Sequence, residues 1–191
     1  LEPHLGNVLP RQPCWCEKAF CCQSSDLKYE SRFGYFMTAW LVYWTEENIS
    51  MAETTPGWEH SCWGSDRANL ETNWQNGDVV YFTNIDSNNY HSMFSRLVLN
   101  EFVGSKKEAQ SKINHQLTNV EFEKYWIGHK PWAKLEDIPF RDLAMTLEFI
   151  TKNGKISTLK HGYNAQALQT PRRLTEESAE AVEALWLSYT E

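Results

Sequence analysis

Hydrophobic residues recur at spacings of three and four in several parts of the chain, which is the pattern of helices that pack one face against a core. These parts are residues 27–47, 88–103, 105–119 and 175–189. In the third, Ser105 and Glu108 form the pair of a capping box, and in the fourth Thr175 stands where an N-cap is expected. The pattern therefore predicts four helices.

Two other stretches favour strands. Residues 79–85 begin with four consecutive apolar side chains, which is typical of a central strand buried on both faces. Over residues 143–149 large apolar side chains occupy every second position, and Asn153-Gly154 is a preferred pair for a two-residue hairpin turn. We therefore predict an α+β fold, in which a small, mainly antiparallel sheet with a hairpin near 143–159 is packed by about four helices.

The length of 191 residues suits one domain with a core of ordinary size. Residues 1–25 differ from the rest, because they contain three prolines and four of the five cysteines and show little periodicity. We expect a single domain over residues 1–191, with this irregular, cysteine-rich segment docked on its body.

Charge and hydropathy narrow the possible partners. The chain has 18 Lys and Arg against 25 Asp and Glu, a formal net charge of −7, and no basic run longer than two residues. Nucleic acid is disfavoured as a partner, because phosphate binding needs a concentrated positive surface. The longest apolar run, residues 33–44, is too short to cross a bilayer as a helix, so we expect no membrane span. A protein, a small molecule or a carbohydrate is the expected ligand.

The cysteines give the clearest indication of chemistry. Thiolates and an imidazole at short spacing can complete a tetrahedral zinc site from two parts of a chain. The candidate ligands of a structural zinc ion are Cys14, Cys16, Cys21, Cys22, His60 and Cys62. The run from Cys14 to Cys22 resembles the SEC-C zinc motif, although its spacer is shorter and the Gly-Ser-Gly of that motif is absent.

Disulfides are an alternative to zinc, and reduced, inert thiols are a third interpretation. Cys62 could bridge to the N-terminal segment, whereas adjacent Cys21 and Cys22 rarely bond to each other because the geometry is strained. The spacing alone leaves the three interpretations open. Zinc would indicate a cytoplasmic protein, and disulfides would indicate a secreted one.

One cysteine also has a catalytic interpretation. Cys14-Trp15 resembles the site of papain-like proteases, in which tryptophan often follows the nucleophilic cysteine directly. The resemblance implies a cysteine-dependent hydrolase with Cys14 as its nucleophile. His91, within the predicted helix 88–103, is a candidate for the imidazole that activates the thiol.

The nine tryptophans are well above ordinary usage. Those in polar, loop-like sequence are candidates for ligand or partner binding: Trp58, Trp63, Trp74 and Trp132. An exposed indole can stack on a sugar ring or a partner side chain. Packing under long loops is the alternative for this set, and Trp40 and Trp44, on a predicted helical stripe, are expected in the core.

These features together favour a non-enzymatic binding or interaction protein, acidic and tryptophan-rich, whose N-terminal segment is fastened by zinc or disulfides. The alternatives are a cysteine-dependent hydrolase using Cys14 and a structural subunit of a larger assembly. The sequence contains no Walker-type loop, Gly-x-Gly-x-x-Gly fingerprint or nucleophile elbow that would favour a nucleotide-binding protein or a serine hydrolase.

Overall fold

A computed structural model describes residues 38–53, 62–66, 73–114, 116–117, 121–129, 137–159 and 170–190. Within these residues nine strands and four helices follow one another along the chain. They are β1 (Ala39–Tyr43), α1 (Glu46–Glu53), β2 (Cys62–Ser65), β3 (Val79–Ile85), β4 (His91–Val103), α2 (Lys106–Ile113), β5 (Lys124–Gly128), β6 (Ile138–Pro139), α3 (Arg141–Ala144), β7 (Glu148–Ile150), β8 (Ile156–Thr158), β9 (Arg172–Leu174) and α4 (Glu176–Thr190). The fold is therefore α+β. The N-terminal segment 1–25 lies outside the described residues, so its docking stays a prediction.

All nine strands join one mixed sheet, in the order β2-β5-β4-β3-β1-β9-β7-β8, with β6 paired to β4. β1 and β3 run parallel, and the other pairs among these strands are antiparallel. The prediction of a small sheet is wrong. The sheet is larger because two segments that were predicted as helices form β1 and β4, and because four further strands, β2, β5, β6 and β9, lie in segments for which no strand was predicted.

The predicted central strand is confirmed as β3, whose two faces support two different clusters. Val79 and Tyr81 pack on the face that α4 covers, where Val182 is buried with them. Val80 and Phe82 point to the opposite face, which is rich in tryptophan. Because both faces of β3 are buried, its sequence reads as a continuous apolar run.

The predicted helix 88–103 is instead the long strand β4. The register of β4 with β3 shifts between Phe82 and Thr83 of β3. The register of β4 with β5 shifts between Leu99 and Glu101 of β4. Each irregularity adds one residue to the strand and resets which face the following side chains occupy. Four residues of β4 lie on the tryptophan-rich face: Phe94, Leu97 and Leu99, which are buried, and Phe102, which is partly buried. The bulges thus produce a three-residue spacing that imitates a helical stripe.

The predicted helix 27–47 is also wrong where the structure describes it. Residues 39–43 form β1, and helix α1 begins only at Glu46. Trp40 and Trp44 are four positions apart, a spacing that puts two side chains on one face of either a helix or a strand. Spacing could therefore not distinguish the two structures.

The two other predicted helices are confirmed as α2 and α4. The hydroxyl of Ser105 accepts a hydrogen bond from the Glu108 backbone N–H at 3.3 Å, and α2 ends earlier than predicted, at Asn114 in a left-handed conformation. The hydroxyl of Thr175 accepts from the Ser178 backbone N–H at 3.3 Å. Both N-caps lie where the sequence predicts them.

The predicted hairpin is present as β7 and β8, but it is shorter and its turn is different. Residues 141–144 form the single-turn helix α3, so β7 begins only at Glu148. The Thr151 backbone N–H donates to the Lys155 carbonyl at 2.9 Å, which leaves a three-residue loop instead of a two-residue one. Gly154 takes a positive φ of 72° in this loop, a conformation typical of glycine after a tight turn.

Gly128, at the end of β5, has no room for a side chain. A Cβ atom there would lie 2.2 Å from Cδ1 of Leu97 and 3.0 Å from the backbone oxygen of Val98. Leu97 is buried in a packed cluster and Val98 contributes main chain, so neither can move away freely. We expect Gly128→Ala to lower the free energy of unfolding by about 1–3 kcal/mol, measured by urea denaturation.

Gly104 provides the matched control for this substitution. A Cβ atom at Gly104 would meet nothing within 4 Å, and its backbone has no positive φ. Gly104→Ala should therefore leave the free energy of unfolding within about 0.5 kcal/mol of the wild type. Equal losses for the two variants would contradict the close approach of Gly128 to β4.

Candidate tryptophan site

A row of aromatic side chains crosses three neighbouring strands on one face of the sheet. Trp63 of β2 is opposite Trp126 of β5, and Trp126 is opposite Phe102 of β4. The rings of Trp126 and Phe102 meet edge to face, with centroids 5.5 Å apart. Cross-strand aromatic pairs of this kind stabilise a sheet beyond the area that they bury.

Trp74 lies at the centre of the tryptophan cluster, which we define as Trp40, Trp63, Trp74 and Trp126. Its ring centroid is 4.8 Å from that of Trp63, 6.1 Å from that of Trp40 and 6.4 Å from that of Trp126. Trp74 is 2% exposed. Three other indoles therefore surround one indole, on the face of the sheet opposite α4.

The rest of this face is apolar. Trp44 extends the aromatic surface, with its ring centroid 5.6 Å from that of Phe82 and 5.8 Å from that of Phe94. Aliphatic side chains fill the space between the rings: Val42, Val80, Leu97 and Leu99. Trp40 and Trp44 are partly exposed, so the cluster meets solvent on their side.

Three buried polar atoms on this face have no hydrogen-bond partner within the described residues. They are Nε1 of Trp74, Nε1 of Trp126 and Oγ of Ser95. Ser95 is opposite Phe82 in the register of β3 and β4, which places it on the same face as the cluster. Trp126 is 5% exposed and Ser95 is 0% exposed, so bulk water does not reach them. Unpaired buried donors are rare in native proteins and call for an explanation.

The indole of Trp40 is paired, in contrast, with a buried carboxylate. Its Nε1–H donates to Oδ2 of Asp78 at 3.1 Å. Asp78 also accepts from the backbone N–H groups of Gln75 at 3.0 Å and Thr38 at 3.2 Å. Burial raises the pKa of the Asp78 carboxyl above its ordinary value, and these hydrogen bonds and the charge of Arg173 oppose the rise.

Replacement of Asp78 by asparagine should weaken the fold, because an amide has one oxygen to receive three N–H donors. At least one buried donor would face an NH₂ group, at a cost of about 1–3 kcal/mol. We expect Asp78→Asn to lower the free energy of unfolding by this amount at neutral pH. Asp137→Asn changes the same charge at an exposed position and should have almost no effect.

The pH dependence of this loss has a defined sign. The raised carboxyl pKa means that folded Asp78 binds more protons than unfolded Asp78 between the unfolded and folded pKa values. The difference in the free energy of unfolding between wild type and Asp78→Asn should therefore become smaller as pH rises from the unfolded to the folded pKa. An advantage that grows with pH in unfolding curves would contradict the direction of the shift.

His91, the predicted catalytic imidazole, lies at the start of β4 and not on a helix. Its ring is buried, and Nε2 is 3.2 Å from Oδ1 of Asn89. Burial and the charge of Arg141 lower the pKa of His91, while Asp86 opposes this change. Cys14, the predicted nucleophile, lies outside the described residues. The catalytic pair therefore stays a prediction.

Cys62 is the one predicted zinc ligand that the structure describes. It lies on β2 opposite Ile127 and is buried in a cluster that includes Ala109 of α2. Burial raises the pKa of its thiol to about 12, so without a metal ion the thiol is protonated at neutral pH.

The other predicted zinc ligands lie outside the described residues: Cys14, Cys16, Cys21, Cys22 and His60. In the part of the chain that the structure describes, no group of three or more His, Cys, Asp or Glu side chains could hold a metal ion. Zinc coordination therefore stays a prediction, as does its disulfide alternative.

Two of the four tryptophans predicted to bind a ligand belong to the cluster, Trp63 and Trp74. Both are buried, so neither presents an open stacking surface. The other two, Trp58 and Trp132, lie outside the described residues. Trp126 and Ser95 were not among the predicted site residues, although Trp126 stands in an apolar strand-like run with Tyr125 and Ile127 that could have been recognised.

No protein-family model matches the chain, and no curated protein matches its sequence. None of the helices that the structure describes has the length and the apolar composition of a membrane span. The function is therefore inferred from the side chains themselves.

Proposed function

We propose that this chain is a non-enzymatic binding protein whose tryptophan cluster holds a ligand. The observation that carries the proposal is the pair of buried indole N–H groups, on Trp74 and Trp126, that find no acceptor among the described residues. Binding sites for small molecules are mostly apolar and contain a few polar groups that fix the orientation of the ligand. The cluster has this composition.

The energetics also favour a ligand. A buried donor without an acceptor destabilises a fold by about 1–3 kcal/mol. The two indole N–H groups and the hydroxyl on this face therefore lower the free energy of unfolding. Phe at positions 74 and 126 would bury a ring without an unpaired donor, because a phenyl ring has no N–H group. A ligand that supplies an acceptor would form the missing hydrogen bonds, and the free energy gained would contribute to its binding.

Indole N–H resonances provide a direct test. A two-dimensional ¹H–¹⁵N spectrum of the full chain should be recorded with a fragment library of diverse charge and polarity. We expect at least one fragment to shift the Nε1–H signals of Trp74 and Trp126, assigned from Trp74→Phe and Trp126→Phe, and to raise the melting temperature. Trp186 lies on α4 against the opposite face of the sheet, and its signal should not move. A library that leaves both cluster signals unchanged would refute ligand binding at the cluster.

The N-terminal cysteines belong to the same proposal, as a fastening for the segment that precedes the described residues. Intact mass under native and denaturing conditions distinguishes the two chemistries. A mass increase of one zinc ion that disappears on denaturation supports metal, and a deficit of two hydrogens per bridge that reductant removes supports disulfides. Neither result would contradict ligand binding at the tryptophans, whereas neither signal would mean that the cysteines fasten nothing.

A further inference from the structure

Resting on the proposed function, we infer that the ligand is a neutral, largely apolar small molecule that carries a carbonyl- or ether-type oxygen. The unpaired polar atoms of the tryptophan cluster and the charges at its border determine this chemical class.

The unpaired atoms require an acceptor. The indole N–H groups of Trp74 and Trp126 can only donate, and the hydroxyl of Ser95 can donate as well. A hydrocarbon would leave all three unpaired. A molecule with an exposed oxygen lone pair would satisfy at least one of them while its apolar body contacts the surrounding rings.

The same atoms argue against a sugar. Each sugar hydroxyl brings a proton that needs an acceptor, and burial without one is costly. Among the unpaired buried atoms of this face, only Oγ of Ser95 can accept. The carboxylate of Asp78 already receives hydrogen bonds from Trp40, Gln75 and Thr38. The cluster therefore offers a polyol too few acceptors.

The charges argue against an ion. Asp78 lies at the border of the cluster, where it accepts the hydrogen bond from the Trp40 indole. Arg173 is opposite Trp40 in the register of β1 and β9. Arg173 lowers the pKa of Asp78, so the positive and negative charges act on each other and partly cancel at the cluster. Indole faces attract cations, but a cation cannot accept the N–H bonds of Trp74 and Trp126. An anion could accept them, but burial of a charge among indole and aliphatic side chains without a partner of opposite charge is costly. A neutral acceptor is the class that fits these constraints.

A matched pair of probes tests the inference on the full chain. Cyclohexanone and methylenecyclohexane have the same ring and nearly the same shape, but only the ketone has an acceptor. We expect cyclohexanone to move the Nε1–H signals of Trp74 and Trp126 downfield and to bind at least about tenfold more tightly than the hydrocarbon, because a hydrogen bond to a buried donor is worth about that factor. Trp126→Phe removes one donor and keeps a ring, so it should reduce this preference several-fold. Trp186→Phe should leave the preference unchanged.

Several outcomes would overturn the inference. Equal binding of the ketone and the hydrocarbon would mean an apolar site without acceptor recognition. Tighter binding of tetramethylammonium than of cyclohexanone would assign the site to a cation. Tighter binding of methyl glucoside than of cyclohexanone would assign it to a sugar. Exchange of the two indole protons with buried water, with no shift by either ring probe, would mean that water fills the role of the acceptor. Failure of both ring probes, while other fragments shift the cluster signals, would overturn the ligand class and leave the proposed function standing.

Should Trp126→Phe fail to fold, the wild-type comparison of the two probes still decides the inference. Failure of the entire fragment library would instead refute the proposed function. The two conclusions can therefore be separated in one set of spectra.

Discussion

Trp74→Ala should lower the free energy of unfolding by about 3–5 kcal/mol, because it removes the indole that three others surround. Trp74 is buried, and the large side chains around it are held by the strands from which they project. The space left by the indole would therefore collapse only in part. Guanidinium unfolding followed by far-UV circular dichroism measures the loss without relying on tryptophan fluorescence.

Trp74→Phe is the informative control for this substitution. It keeps an aromatic ring and removes the N–H group that has no acceptor in the described part of the chain. The smaller cavity costs stability and the removal of the unpaired donor restores some, so the loss should be less than half that of Trp74→Ala. A loss below 1 kcal/mol for Trp74→Ala would show that Trp74 is not at the centre of a packed cluster.

The second large effect is expected at Glu183, whose carboxylate joins α4 to the sheet. Arg96 of β4 donates to it through Nε at 3.0 Å and Nη2 at 2.9 Å, and the hydroxyl of Tyr81 donates to the same carboxylate. Burial and the neighbouring Glu183 raise the pKa of Tyr81 far above its ordinary value, so the phenol remains protonated. Glu183→Ala would remove both of these hydrogen bonds from the partly buried guanidinium, and we expect a loss of about 3 kcal/mol in urea unfolding.

The surface pair of Lys112 and Glu101 provides the comparison. Its N–O distance is 2.7 Å, but its side chains are 38% and 45% exposed, against 11% and 23% for Arg96 and Glu183. Glu101→Ala should cost less than about 1 kcal/mol, because solvent screens an exposed pair. Similar losses for Glu183→Ala and Glu101→Ala would mean that burial does not strengthen the pair between α4 and β4.

Local signals predicted the parts of this fold that depend on neighbouring residues. Ser105 and Thr175 correctly predicted where α2 and α4 begin, because a capping side chain accepts a hydrogen bond from a backbone N–H group only three residues away. The apolar run of β3 was recognisable because both of its faces are buried. β4 could not be recognised from its spacing, because its bulges depend on the strands paired with it.

The candidate site depends even more on distant pairing. Trp63 and Trp74 were selected from sequence, but their surroundings are created by the register of β2 with β5, which brings Trp126 beside them. Single-sequence patterns carry no information on that register. The unpaired state of Ser95 likewise follows only from the three-dimensional surroundings. Composition therefore indicated tryptophan chemistry, and only tertiary structure identified which indole donors lack acceptors.

The position of β1 has a consequence for how the sheet is assembled. β1 lies between β3 and β9, and its edge toward β9 pairs Trp40 with Arg173 and Leu41 with Arg172. On the ribosome β1 is made well before β9, so this edge lacks its neighbouring strand until the residues between β1 and β9 have been translated. Until then its backbone N–H and C=O groups are open to another nascent chain, a vulnerability that the completed fold no longer shows.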